Sequence, residues 1–138
     1  MDGDNMKIIT IRGAKNSGKT TILRNLLQKI CIMRDTTLVE YIPEGKDKCD
    51  FRAAISVNGK IVVINSCGDA IEFIRDGLKF AESKSADIFI TAWNTDLEKK
   101  YESKIELRDA EIIDNPVQIF ESLKTQWMDF ANMIVQKF

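Results

Sequence analysis

The residues of this chain that are best suited to chemistry form one short loop pattern near the amino terminus. Residues 13–20 fit the spacing G-x-x-x-x-G-K-[ST], in which two glycines precede a lysine and a hydroxyl residue. The eight residues are Gly13, Ala14, Lys15, Asn16, Ser17, Gly18, Lys19 and Thr20. Glycines and small residues let such a loop wrap a phosphate with consecutive backbone N–H groups. The spacing therefore predicts a site for a phosphorylated ligand.

Side chains at the end of the loop extend this expected chemistry. We expect Lys19 to reach the β- and γ-phosphates of a nucleotide and the Thr20 hydroxyl to ligate Mg²⁺. Lys19 is also a candidate catalytic residue, because its charge can neutralise a phosphoryl group during transfer. Lys15 and Ser17 add contacts in this interpretation, and Thr21 completes the set of binding residues. The expected ligand is ATP or GTP, with Mg²⁺ as the cofactor.

The segments on either side of the loop are those that such a site needs. Residues 7–12 form a nearly continuous apolar, β-branched run, which is typical of a strand buried on both faces of a parallel sheet. Residues 18–33 are predicted to form a helix whose apolar positions are Ile22, Leu23, Leu26, Leu27 and Ile30. The first N–H groups and the dipole of this helix would point toward a bound anion. The order strand, turn, helix indicates an α/β fold.

The remaining chain alternates between predicted strands and helices. Strands are predicted at 37–42, 51–57, 60–65, 87–93, 104–107 and 110–113, and helices after residue 70 and from residue 116 onward. Asn58-Gly59 predicts a hairpin with a type I′ turn, because both residues tolerate positive φ. The second arm of that hairpin is uniformly apolar over residues 61–64, which predicts a central strand.

Composition sets limits on the function classes. The chain has 138 residues, 44% of them apolar and 30% charged, which predicts a single globular domain over residues 1–138. It contains no histidine, which excludes His-dependent catalytic triads and His–metal sites. The net charge of −1 gives no general attraction to nucleic acid, so a nucleic-acid partner is not expected. Without a signal-like start or a long apolar run, we expect a cytoplasmic protein with no membrane partner.

On the loop, its preceding strand and its following helix, the chain resembles the P-loop nucleoside triphosphatase superfamily. The pattern itself covers residues 13–20, and the compatible order of strands and helices covers most of the chain. The resemblance implies a three-layer α/β/α fold with a mostly parallel sheet, to which the hairpin adds an antiparallel arm. It also implies that the nucleotide lies at the carboxyl ends of the strands.

A second candidate site follows the strand at residues 60–65. Members of the superfamily place an aspartate at the end of such a strand, where it holds Mg²⁺ directly or through water. This chain has Asn65 there, with Gly68 and Asp69 shortly after it. By the resemblance, Gly68 offers its N–H to the γ-phosphate, Asn65 and Asp69 contribute to the metal site, and Asp69 is a candidate catalytic residue. The alternative is a turn that merely caps the following helix.

Residues 93–96 bear on the choice of base. Guanine-specific members of the superfamily resemble one another in an N-K-x-D motif after a later strand. Here Asp96 is in place, but Trp93 and Asn94 replace the asparagine and the lysine. We therefore expect ATP, in preference to GTP, or a site that does not select between bases. Trp93 either stacks on a base or belongs to the core.

Three functions stay open on the sequence alone. The first is a slow nucleoside triphosphatase, the second a small nucleotide or nucleoside kinase with an unidentified acceptor, and the third a non-catalytic sensor or adaptor. The short chain, with strands at 87–90 and 104–107, also resembles the adaptor proteins of molybdopterin dinucleotide biosynthesis. The final helix has an apolar stripe that either covers the sheet or serves a protein partner or a homodimer. Its residues are Phe120, Leu123, Trp127, Phe130 and Ile134.

Overall fold

Eight helices and strands build the part of the chain that the structure describes. This computed structural model describes residues 6–13, 19–33, 35–44, 50–68, 71–94, 111–114 and 136. In chain order, the elements are β1 (Lys7–Gly13), α1 (Lys19–Cys31), β2 (Thr36–Glu44), β3 (Asp50–Val57), β4 (Lys60–Asn65), α2 (Ile71–Ser83), β5 (Ile88–Asn94) and β6 (Glu111–Asp114). The predicted strand at 104–107 and the predicted helix from residue 116 lie outside the described residues.

The strands form one mixed sheet. Their order across the sheet is β2-β3-β4-β5-β1-β6. The pairings of β4 with β5, β5 with β1 and β1 with β6 are parallel. The pairings of β2 with β3 and β3 with β4 are antiparallel. One side of the sheet is therefore parallel and the other side is antiparallel.

The expected fold class, a three-layer α/β/α domain with a mostly parallel sheet of the P-loop type, is wrong. The sheet is mixed, and the described residues form two helices, α1 and α2. The short connections explain the antiparallel side, because a parallel crossover needs about a dozen residues or more. Only residues 45–49 join β2 to β3, and only residues 58–59 join β3 to β4.

The hairpin of β3 and β4 is confirmed. Its strands pair from Val57 opposite Lys60 to Arg52 opposite Asn65. The turn residue Asn58 has φ 52° and Gly59 has φ 86°, as a type I′ turn requires. The central position of β4, between β3 and β5, is confirmed as well.

The core has one part on each face of the sheet. On the first face, α1 buries Leu23 and Leu26 against alternate strand residues such as Val62 and Ile64. On the other face, the buried residues of α2 pack against the intervening strand residues. This alternation follows from the two-residue period of a strand and gives β4 two buried faces.

The directions of the strands bring several chain ends to one edge of the sheet. The register places Gly13 at the end of β1 opposite Asn94 at the end of β5. Because β3 runs against β4, the first residue of β3, Asp50, also lies at this end of the sheet. We call it the carboxyl edge, since β1, β4 and β5 all end there.

Candidate functional site

The glycine-rich pattern lies between a central strand and a helix, as expected. β1 runs between β5 and β6 and ends at Gly13, and α1 begins at Lys19. The binding residues Ala14, Lys15, Asn16, Ser17 and Gly18 lie outside the described residues. Because β1 ends at the carboxyl edge and α1 begins at Lys19, shortly after it, the amino end of α1 lies at this edge.

Three polar side chains, from α1, from β3 and from the residue after β4, meet at the carboxyl edge. The Thr20 hydroxyl of α1 donates a hydrogen bond to Asp50 Oδ1 of β3 at 2.9 Å. The Ser66 hydroxyl, in the residue after β4, donates to the same oxygen at 3.0 Å. We call Thr20, Asp50 and Ser66 the Asp50 cluster. It joins the last residue of the glycine-rich pattern to the antiparallel hairpin.

The backbone holds Ser66 firmly within this cluster. The Ser66 hydroxyl oxygen accepts the backbone N–H of Phe51 at 2.8 Å. The Ser66 N–H in turn donates to the Phe51 carbonyl at 3.0 Å. Both residues are buried, Phe51 at 0% and Ser66 at 3% exposure. The Ser66 hydroxyl is therefore fixed from two sides, and its proton is directed at Asp50.

The donor set of the Asp50 cluster fits a hard divalent cation. It consists of one carboxylate and two hydroxyl oxygens, and Mg²⁺ prefers oxygen ligands. A hydroxyl has one proton and two lone pairs, so Thr20 can donate to Asp50 and still offer a lone pair to a metal. Mg²⁺ in proteins is commonly held by one or two carboxylates together with phosphate and water. Among the described ranges, no three His, Cys, Asp or Glu side chains lie close enough to form a protein-only metal site.

Asn65 lies on the other face of the sheet. Its side-chain Nδ2 donates to the Cys67 carbonyl at 3.0 Å and to Thr91 Oγ1 at 2.9 Å. The residue is fully buried and lies under α2, where a Cβ added to Gly77 would come within 2.9 Å of Asn65 Cγ. The structure thus does not bring Asn65 together with Thr20; the next residue, Ser66, reaches the Asp50 cluster instead.

Gly68 is tightly packed against β5. Its carbonyl accepts the N–H of Asn94 at 3.1 Å, and an added Cβ would lie 2.4 Å from the backbone oxygen of Ala92. Close approach of two backbones therefore explains a glycine at this position. Asp69, the neighbouring candidate for metal binding and catalysis, lies outside the described residues.

Thr21 and Trp93 complete the predicted positions that the structure describes. Thr21 lies in the first turn of α1, where its carbonyl accepts Asn25 Nδ2 at 3.0 Å. Trp93 is only 2% exposed and packs with Ile71 of α2. The Arg12 guanidinium covers its ring at 5.3 Å from the ring centre. Of the two roles considered for Trp93, the core position is confirmed. Asp96 lies outside the described residues.

The residue that the sequence did not place beside Thr20, or assign to a metal site, is Asp50. Its sequence signal is an acidic residue at the first position of a strand that enters a hairpin. Because the hairpin reverses the chain, the start of β3 reaches the edge at which the parallel strands end. An acidic residue at that start is therefore placed beside the glycine-rich pattern.

Comparison of this chain with protein-family models, with curated proteins and with solved structures finds no match. None of the helices within the described residues is long and apolar enough to cross a membrane.

Proposed function

We propose that this chain binds a nucleoside triphosphate together with Mg²⁺ at the carboxyl edge and hydrolyses it slowly. The observation that carries the proposal is the hydrogen bond from the Thr20 hydroxyl to Asp50 at 2.9 Å. This hydrogen bond joins the threonine of the G-x-x-x-x-G-K-[ST] pattern to a carboxylate. A hydroxyl oxygen and a carboxylate oxygen, both of which Mg²⁺ uses beside a triphosphate, therefore lie together.

The triphosphate is proposed to lie over the amino end of α1. Residues 14–18 connect the end of β1 to Lys19, the first residue of α1. The unpaired N–H groups and the positive dipole end of a helix favour an anion at that position. In α1 no acidic side chain lies in the first turn to compete for these groups. Lys19 would add a cation for the β- and γ-phosphates.

Mg²⁺ is proposed to lie beside Thr20, between the Asp50 cluster and the phosphates. The Thr20 hydroxyl would supply a direct ligand, and the phosphates and water would supply the rest. The metal would neutralise charge on the phosphoryl group. Asp69 directly follows the buried segment 66–68 and is proposed to orient the attacking water. ATP is proposed in preference to GTP, because residues 93–94 depart from the guanine-reading motif.

A thermal-shift panel tests this function. Wild-type protein is heated with ATP, GTP or no nucleotide, each with Mg²⁺ or with EDTA. A ligand at 100 times its dissociation constant stabilises a protein by about 2.7 kcal/mol. For a domain of this size that corresponds to a melting temperature higher by about 8 °C. We expect this shift with ATP and Mg²⁺, a smaller one with GTP, and slow phosphate release in the same mixture.

Two lysine variants make the panel specific. Lys19→Ala should abolish the ATP shift, and alanine preserves the start of α1 because it is the best helix former. Lys79→Ala makes the same change at an exposed position of α2, and it should leave the shift unchanged. An equal ATP shift in wild type and Lys19→Ala would exclude the proposed site, and no shift with any nucleotide would exclude the proposed function.

A further inference from the structure

We infer that Asp50 is the positioning carboxylate of the magnesium site, and that it acts through the hydroxyl of Thr20. This inference rests on the proposed function. It places the negative charge that supports the metal site on β3, which runs antiparallel to β4. Nothing in the glycine-rich pattern specifies such a residue. The superfamily resemblance places the charge at the end of β4 instead, where this chain has Asn65.

The proton of the Thr20 hydroxyl is directed at Asp50. A threonine hydroxyl has a single proton, and in this structure it is donated to Asp50 Oδ1 at 2.9 Å. Once that proton is fixed, the two lone pairs of the oxygen are directed away from Asp50. A carboxylate acceptor also polarises the hydroxyl, because hydrogen bonds to charged groups are stronger than neutral ones. The Thr20 oxygen thereby becomes a better oriented and more electron-rich ligand for a cation.

Asp50 is itself held in place by its neighbours. Its Oδ1 accepts a second hydrogen bond, from the Ser66 hydroxyl at 3.0 Å. Ser66 is itself tied to the backbone of Phe51 in both directions. Asp50 is also the first residue of β3 and pairs with Glu44 at the end of β2. A carboxylate supported by two strands and a buried hydroxyl can hold Thr20 in one orientation.

Asn65 is buried on the other face of the sheet, under α2. Its Nδ2 donates hydrogen bonds to the buried residues Cys67 and Thr91, and its Oδ1 accepts none from a described residue. Gly77 of α2 packs directly on its side chain. An uncharged amide in that place supplies no anion to the carboxyl edge, whereas Asp50 does so from the neighbouring strand.

The test compares the dissociation constant of ATP in EDTA with that in excess Mg²⁺, measured by equilibrium dialysis. The ratio of the two constants reports how strongly the metal supports nucleotide binding. Asp50→Asn keeps the size and an oxygen acceptor and removes the charge. We expect this ratio to fall about 10- to 100-fold, as for other changes to residues that orient metal ligands. Binding in EDTA should tighten, by about threefold, because a carboxylate that repels the bare triphosphate is gone.

These opposite changes separate a charged positioning role from a structural one, since a damaged fold weakens binding in both conditions. In a Thr20→Val background, Asp50→Asn should lower the ratio only by the electrostatic effect of about threefold, because the larger effect of Asp50 acts through the Thr20 hydroxyl. Asp76→Asn, the same change at an exposed position of α2, is the matched control and should behave as wild type. Asp50→Ser, also uncharged and with an oxygen acceptor, is measured alongside in case one variant does not fold.

The outcomes are distinct. If wild-type protein binds ATP and Lys19→Ala does not, but the uncharged Asp50 variants keep the wild-type ratio, the inference is overturned and the proposed function stands. If Asp50→Asn lowers the ratio equally with and without the Thr20 hydroxyl, Asp50 does not act through Thr20 and the inference is again overturned. If wild-type protein binds no nucleotide in either condition, both the function and the inference fail.

Discussion

Replacing Asn65 by aspartate separates the packing role of this residue from a metal-binding role. By resemblance to the superfamily, Asn65→Asp would restore a missing magnesium ligand and tighten metal-dependent binding. The structure leads us to expect a loss of stability instead. The Asn65 side chain is fully buried and donates hydrogen bonds to the Cys67 carbonyl and to Thr91. An ionised aspartate has no proton to donate in either place.

The size of the effect follows from the groups left without partners. Each buried acceptor that loses its donor costs about 1–3 kcal/mol, so the two lost hydrogen bonds together cost about 2–6 kcal/mol. The Asn65 Oδ1 accepts no hydrogen bond from any described residue, so the structure shows no donor that would stabilise a new charge. A loss of this size is a large part of a total stability of about 5–15 kcal/mol. This loss of stability corresponds to a melting temperature lower by about 6–18 °C.

The loss should depend on pH in a defined direction. Burial without a donor favours the neutral acid, so the pKa of the introduced carboxyl is raised in the folded state. The folded protein then binds more protons than the unfolded chain as the pH rises above the ordinary range of an aspartate. Stability therefore falls with rising pH through that window, and the difference between Asn65→Asp and wild type should be smallest at acid pH.

Urea denaturation followed by far-ultraviolet circular dichroism measures this difference at several pH values. Asn58→Asp is the matched control, because Asn58 is exposed in the hairpin turn and Asp-Gly also favours a type I′ turn. We expect the control to stay within about 0.5 kcal/mol of wild type. A variant Asn65→Asp as stable as wild type, with a stronger magnesium effect on ATP binding, would refute the packing argument and return Asn65 to the metal site.

Two glycine substitutions test the close contacts around the same layer. Gly77→Ala should destabilise by about 1–2 kcal/mol in denaturant titrations although alanine favours helix by about 1 kcal/mol, because its Cβ would meet Asn65 Cγ at 2.9 Å. In an Asn65→Ala background that cost should shrink by at least 1 kcal/mol, and strict additivity would contradict the contact. Gly68→Ala should lower the melting temperature by about 10 °C, because its Cβ would lie 2.4 Å from a backbone oxygen of β5 that has little room to move. A melting temperature equal to wild type would show that Gly68 is not packed in this way.

Several elements were predictable because their signals are local. The β-branched run before the loop and the helical spacing after it predicted β1 and α1 within a few residues of their observed bounds. Asn58-Gly59 predicted the hairpin, because the positive φ values of a type I′ turn restrict the residue types. The uniformly apolar run in β4 predicted burial on both faces, and both helices do pack on that strand.

The direction of β2 was harder to predict, because it depends on a pairing partner that is distant in sequence. The strand was predicted correctly, but its antiparallel pairing with β3 makes the sheet mixed. The length of the connection at 45–49 was the relevant clue, since it is too short for a parallel crossover. The length of this connection therefore indicates the antiparallel side of the sheet, which the glycine-rich pattern does not indicate.

The orientation of Asn65 was beyond prediction for a related reason. Strand residues alternate between faces, so the side chain of Asn65 lies opposite that of Ile64, which packs under α1. Which face α1 covers depends on the handedness of the connection that contains it, which is a property of the topology and not of a local pattern. The chain reverses direction in the hairpin of β3 and β4. This reversal places Asp50, rather than Asn65, beside Thr20.

Direct measurement of ATP binding by isothermal titration calorimetry, on wild-type protein and on Lys19→Ala in excess Mg²⁺, tests the proposed function most directly. We predict that wild type binds one ATP per chain. The variant should bind at least about 100-fold more weakly, since it loses charge-assisted hydrogen bonds that contribute about 3 kcal/mol. The absence of ATP binding by wild type, or equal affinity in the two proteins, would contradict a nucleotide site at the carboxyl edge.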